Sequence, residues 1–248
     1  MNGDSSRLVL WDIDLTLVDL HGLGGDWYAE ALATVADVAM RDVPSFPGRT
    51  ERAITLEILD AHGLEPSEEI IRRIWRELVV ISTRALPTLT ERGRALPGAA
   101  AALTELAGRD HVVQSLVTGN LPEIARHKLT AFGLNEHIDF ALGGYGSLSA
   151  HRPDLVTHAA ELATAKHGTT FKPGSVVVVG DTPHDIDAAL QHGALAVGVA
   201  TGRYTEGQLR EAGAHAVLGD LSDTGAVLAA LLPAQRVGSS GEVPRHAR

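Results

Sequence analysis

Leu8-Val9-Leu10-Trp11-Asp12-Ile13-Asp14-Leu15-Thr16 is an apolar strand that runs into two acids and a hydroxyl. A short apolar run bounded by polar residues fits a strand buried on both faces, the kind found in parallel sheets covered by helices. Open α/β folds place their chemistry at the carboxyl ends of such strands. In extended chain, residues two apart point to one side, so Asp12 and Asp14 can serve one cleft. One acid can attack or hold a metal while the other exchanges a proton. Turn formation is the competing reading of the same pair.

Working outward, residues 25 to 90 change to the 3.6-residue period of amphipathic helices. Trp27, Ala31, Val35 and Val38 share one face, Ile54, Ile58 and Leu59 a second, and Ile70, Ile74, Leu78 and Ile81 a third. This predicts a helical insertion, with hinges expected near Gly24-Gly25 and between Arg92 and Pro97. Beyond residue 97 helix and strand alternate. Helices are expected at about 98–107, 122–131, 154–166, 184–191 and 205–212. His111 to Val117, 195–199 and 215–218 read as strands, Ile138 to Leu142 as a short apolar stretch, and Val176 to Val179 as the strongest buried strand. Such alternation predicts a mostly parallel sheet with helices on both faces. The expected division is core over 1–20 and 93–235, a helical cap domain over 21–92, and a flexible tail over 236–248.

The chain has 248 residues, 44% of them apolar, enough for a sizeable core plus an accessory domain. Twenty-one Lys and Arg against 31 Asp and Glu give a net charge of -10, which disfavours broad nucleic-acid binding. With no cysteine, disulfides, thiolate catalysis and Cys-based zinc sites are excluded. No signal-like start occurs, and no apolar run approaches the roughly 20 residues that span a bilayer. A cytoplasmic protein without membrane partners is expected. The composition is silent on oligomeric state.

Two further strand ends carry polar clusters. Val117 leads into Thr118-Gly119-Asn120, where a hydroxyl and backbone amides can meet an anion, or equally form a turn and helix cap. Val179 leads into Gly180-Asp181-Thr182-Pro183-His184-Asp185, whose acids can approach a cation or cap a helix. A parallel sheet brings the ends of its strands to one edge, which places Asp181 near Asp12. Hard oxygen donors beside an anionic substrate suit Mg2+. The histidines, His62, His111, His137, His158 and His192 among them, are scattered and form no zinc pattern.

With these motifs in order, the chain resembles the haloacid dehalogenase-like hydrolase superfamily, closest to the phosphoglycolate-phosphatase-like branch with a helical cap. Asp12-Ile13-Asp14-Leu15-Thr16 resembles its DxDxT signature, Thr118-Gly119-Asn120 its second motif, and Gly180 to Ile186 its acidic fourth motif. His151-Arg152-Pro153-Asp154 resembles its KPxP-like segment, with Arg152 where Lys is usual, and Leu15 stands where Gly is common. The resemblance covers nearly all the core. It implies a Rossmann-like fold with an inserted cap.

It also implies roles. Asp12 would be the nucleophile that forms an aspartyl-phosphate, and Asp14 the general acid and base. Asp12, the backbone carbonyl of Asp14, Asp181 and Asp185 would surround Mg2+. Thr118, Gly119, Asn120 and Arg152 would bind the transferring oxygens, and Arg49 with Thr50 are the cap residues expected near the substrate, ahead of His21 and Trp27. The expected activity is Mg2+-dependent hydrolysis of a small phosphorylated metabolite. A sugar-phosphate mutase and a catalytically weak phosphate-binding protein are the alternatives.

Overall fold

In the computed structural model, which describes residues 6–20 and 22–233, the first strand lies at the centre of a sheet. In chain order the elements begin with β1 (Arg7–Trp11), β2 (Val18–Leu20), α1 (Leu23–Ala36), α2 (Glu51–Ala61), α3 (Glu68–Ala85) and β3 (Gly93–Ala95). They continue with α4 (Ala99–Ala107), β4 (Val112–Thr118), α5 (Pro122–Ala131), β5 (Gly144–Tyr145), α6 (Pro153–His167) and β6 (Val176–Gly180). The last are α7 (Pro183–His192), β7 (Leu195–Val199), α8 (Glu206–Glu211), β8 (Ala216–Leu218) and α9 (Thr224–Leu231).

Six strands form a sheet in the order β5-β4-β1-β6-β7-β8, and every pairing within it is parallel. Burial on both faces follows from strand alternation. Val9, Trp11, Val177 and Val179 pack in one layer with α4, α5 and α9, whereas Leu8, Leu10, Val176 and Val178 pack in the other with α6, α7 and α8. All eight side chains are at most 1% exposed, which explains why these strands are apolar throughout.

Helices α1, α2 and α3 are inserted between β2 and β3, which pair as a small antiparallel ribbon and carry the chain out of the core and back. Leu32, Ile58, Ile74 and Leu78 build a separate apolar cluster within the insertion, and Leu121 and Ile124 of the core join it. Capping sets two of the helix starts: Thr50 Oγ1 accepts from the Ala53 amide and Ser67 Oγ from the Ile70 amide.

Several local expectations change. The Ile138–Leu142 stretch becomes a 3-10 turn over Phe140–Leu142, because Asp139 caps the Ala141 amide, and the edge strand β5 follows it. Gly24 and Gly25, expected near a hinge, lie in the first turn of α1. The β2–β3 ribbon and α9 are additional elements. The tail over 236–248 and His21 lie outside the described residues. Among the described residues, no helix is long and apolar enough to cross a membrane.

Candidate active site

Asp12 follows β1 directly, and its amide still donates across the sheet to the Val179 carbonyl at 2.8 Å. That bond fixes the ends of β1 and β6 at the same height. Beyond Asp12 the chain turns, with the Leu17 and Val18 amides both donating to the Ile13 carbonyl. Leu15 takes φ 61°, a left-handed conformation open to glycine without cost. The turn directs Asp14 into the cleft, its side chain 44% exposed while Asp12 is 5% exposed as a residue.

At the end of β6, the start of α7 is a capping box. Thr182 Oγ1 and its amide both donate to Asp185 Oδ2, at 2.7 and 3.1 Å, and the Asp185 amide donates back to Thr182 Oγ1. Gly180 is required, because a Cβ there would overlap the Asp185 carboxylate. Carboxylate oxygens of Asp12, Asp181 and Asp185 come within 4.8 Å of one another, all three residues buried. The Asp14 carboxylate is not part of this trio.

One guanidinium pairs with two of the three acids. Arg152, immediately before α6 and 6% exposed, donates through Nη2 to Asp12 Oδ1 at 2.9 Å, to Asp185 Oδ1 at 2.6 Å and to the Val117 carbonyl at 3.3 Å. Its Nε is buried without a partner. Burial and the Asp185 charge push Asp12 up to about 7, against the opposing pull of Arg152. Asp181, which has no ion pair among the described residues, is pushed up to about 9 by burial and by the charges of Asp185 and Asp12. Three oxygen donors, excess negative charge and one unpaired carboxylate fit a hard divalent cation.

The end of β4 completes the site. Asn120 Nδ2 donates to Thr118 Oγ1 and to Asp14 Oδ2, both at 2.8 Å. Lys128 Nζ donates to Asp14 Oδ1 at 2.6 Å, to Asp14 Oδ2 at 2.7 Å and to Asn120 Oδ1 at 2.8 Å. The Gly119 carbonyl accepts the Glu51 amide at 2.9 Å, tying the motif to the start of α2. The cleft above has a volume of about 880 Å3 and is lined by core residues Asp12, Asp14, Arg152 and Asp181 and by Arg49, Glu51, Tyr28 and Trp27 of the insertion.

Asp12, Asp14, Gly119, Asn120, Arg152 and Asp181 thus meet in one cleft, with Thr118 and Asp185 buried directly behind it. Arg49 lines the cleft, but its guanidinium is engaged by Glu57 at 2.5 Å and by the Ser45 and Ala53 carbonyls. Trp27 is 8% exposed and packs in the helical cluster. Lys128 was not among the expected residues. Its signal was its place among Ile124, Ala125 and Leu129 on the buried face of α5, where an unpaired lysine would be costly. Glu51 offered no such signal, since an acid in the first turn of a helix is ordinary.

Residues 9–190 match the haloacid dehalogenase-like hydrolase family. Among curated proteins, the probable phosphatase IndB of Dickeya dadantii (strain 3937) is 29% identical over 237 residues, covering 91% of this chain and 94% of that one. A phosphoglycolate phosphatase of Synechococcus elongatus (strain ATCC 33912 / PCC 7942 / FACHB-805) is 28% identical over 211 residues, covering 79% and 84%. Among solved structures, a hydrolase from Pseudomonas syringae superposes with a TM-score of 0.65 at 22% identity, covering 92% of this chain and all of that one. A family match over residues 9–190, well over half of the chain, together with a buried acid trio that includes Asp12 and Asp181 at the ends of β1 and β6, makes this chain a member of the haloacid dehalogenase-like hydrolases.

Proposed function

We propose that the protein is a Mg2+-dependent phosphatase that hydrolyses a small phosphate monoester through an aspartyl-phosphate on Asp12. The observation that carries this reading is the pairing of a buried Asp12, held by Arg152, with a cleft-exposed Asp14 two residues on, held by Lys128 and Asn120. Two carboxylates in such different surroundings can divide nucleophilic and proton-transfer work. The two curated relatives named as phosphatases support the same class of reaction.

Arg152 occupies Asp12 Oδ1, which leaves the other carboxylate oxygen to attack phosphorus. As the new oxygen–phosphorus bond forms, the bond to the leaving oxygen breaks, and Asp14 supplies the proton that oxygen needs. Asp14 then takes a proton from water, which attacks phosphorus and frees Asp12 and inorganic phosphate. Thr118, buried behind the cleft, accepts from Asn120 and so holds the side chain that bonds Asp14, while the Gly119 amide would meet a phosphoryl oxygen. Asp12, Asp181 and Asp185, with the Asp14 carbonyl, would hold the cation. Bound there, Mg2+ would offset charge on the non-bridging phosphoryl oxygens and favour the ionised form of Asp12.

A phosphate-release screen over small esters in Mg2+ tests this, with Asp12→Asn as the matched control. Release by the wild type and its loss in the folded variant is the expected result; equal release by both sinks the covalent route. A sugar-phosphate mutase would use the same core acids, and would require a sugar hydroxyl rather than water as acceptor. Phosphate release without any sugar present excludes that reading as the main activity.

A further inference from the structure

Among the described residues, Glu51 is the one acid of the helical insertion that is buried and lines the cleft, and it has no part in the phosphoryl transfer described above. It is 9% exposed, at the first turn of α2, and makes no ion pair among the described residues. Its position is fixed from below, because its amide donates to the Gly119 carbonyl and the neighbouring Arg52 amide to the Gly146 carbonyl, both at 2.9 Å. Burial pushes its carboxyl up to about 7, against the Tyr28 hydroxyl and the Lys128 charge and with the Asp14 charge. Glu51 therefore feels both Asp14 and Lys128 across the cleft.

The groups around Glu51 are already committed. Trp75 Nε1 donates to Thr55 Oγ1 at 2.9 Å, and Thr55 Oγ1 donates to the Glu51 carbonyl at 2.7 Å. The Tyr28 oxygen lies 2.7 Å from the same Thr55 oxygen and 3.4 Å from the Glu51 carbonyl, so its one hydrogen is shared within this cluster and Tyr28 braces Glu51. Lys128 spends its three hydrogens on Asp14 and Asn120, and Arg49 is held by Glu57, Ser45 and Ala53. This part of the cleft thus offers acceptors, bordered by apolar Trp27, Phe46, Ile54 and Leu78.

We infer that Glu51 is a specificity-determining residue that binds a hydroxyl or ammonium group on the leaving alcohol and repels a leaving group that carries a carboxylate. The inference rests on the phosphatase reading and narrows its substrate class to phosphate monoesters of polyols or amino alcohols. A leaving oxygen that takes its proton from Asp14 leaves the rest of the alcohol between Asp14 and Glu51. A donor there satisfies a buried carboxylate, while a carboxylate there would meet a second negative charge.

Four esters of nearly equal size test it: 2-hydroxyethyl phosphate, phosphoethanolamine, ethyl phosphate and phosphoglycolate. The wild type should show kcat/KM higher by roughly 10-fold or more for at least one of the two donor-bearing esters than for ethyl phosphate, with phosphoglycolate lowest, as expected for hydrogen bonds to a charged group. Glu51→Gln should shrink the donor-to-ethyl ratio by about 10-fold and raise phosphoglycolate relative to ethyl phosphate. Glu51→Asp, which keeps the charge, should retain the order of preference. Wild-type preference for phosphoglycolate, or ratios unchanged in Glu51→Gln, overturns the inference and leaves the phosphatase reading standing. Failure to release phosphate from any of these esters and from an activated aryl phosphate overturns both.

Discussion

Lys128 donates to both carboxylate oxygens of Asp14, at 2.6 and 2.7 Å, from a helix 114 residues further along the chain. The ammonium is nearly buried and the carboxylate faces the cleft, so the pair orients an exposed acid from the protein side. Asn120 bonds both partners, which makes the arrangement a triangle rather than a simple ion pair. Held this way, the Asp14 carboxylate lines the same cleft as Asp12 in a fixed position, as the proposed proton transfer requires.

Replacement of Lys128 by Met should therefore act on rate more than on stability. A drop in kcat of about 10- to 100-fold is expected, in the range of lost acid-base positioning. Asp14 can rehydrate when its partner is gone, so the folded state should lose no more than about 1 kcal/mol. Steady-state kinetics alongside denaturant unfolding separate the two effects.

Arg152 should behave differently, because it stands between two buried carboxylates. In Arg152→Met the metal-free protein is left with Asp12 and Asp185 stripped of their buried cation, and breaking a buried pair in this way costs about 3–5 kcal/mol. Arg152→Lys keeps the charge and loses the planar fork, so a smaller loss is expected. Urea unfolding in the presence of a chelator measures both; equal stability of all three proteins would contradict the assigned contacts.

The raised carboxyls also set a pH dependence. Asp12, pushed up to about 7, and Asp181, pushed up to about 9, keep protons that an unfolded aspartate releases near ~4. The folded state binds more protons over that window, so these two acids lend stability below about 4 and lose it as pH rises through 7 and then 9. In chelator, thermal midpoints should fall from pH 6 to pH 9, and less steeply in Asp181→Asn. Added Mg2+ should raise the midpoint more at pH 8 than at pH 6, since its ligands must be deprotonated. A chelated protein whose midpoint rises over this window in parallel with Asp181→Asn would count against the buried acid trio.

Gly146 tests how the insertion is seated. A Cβ at Gly146 would overlap the Gly119 carbonyl and press on the Glu51 amide, all backbone atoms with no freedom to swing aside. Gly146→Ala should destabilise by about 1–3 kcal/mol and disturb the Gly119–Glu51 bond that joins the second motif to α2. Activity should fall with stability, in contrast to Lys128→Met.

The core was readable because its physics is local. Val176 to Val179 are buried on both faces and so are uniformly apolar, while Ile54, Ile58, Ile74 and Leu78 face one cluster and so recur at helical spacing. The acids at the ends of β1 and β6 were legible from topology, as a parallel sheet brings those ends together. What stayed hidden depends on contacts between distant segments. Val18 to Leu20 and Gly93 to Ala95 become strands only by pairing with each other across the whole insertion. Lys128 and Glu51 gain meaning only once α5 and α2 converge on Asp14, and α9 is an apolar segment whose partner is α4.

Covalent transfer to Asp12 can be trapped by acid-quenching the Mg2+-loaded enzyme while it turns over an ester carrying radiolabelled phosphate. The wild-type protein should carry label that survives acid, is released by hydroxylamine as an acyl phosphate should be, and maps to the peptide that contains Asp12. Folded Asp12→Asn should carry none. Turnover without label on the Asp12 peptide together with undiminished phosphate release by Asp12→Asn would contradict the covalent route.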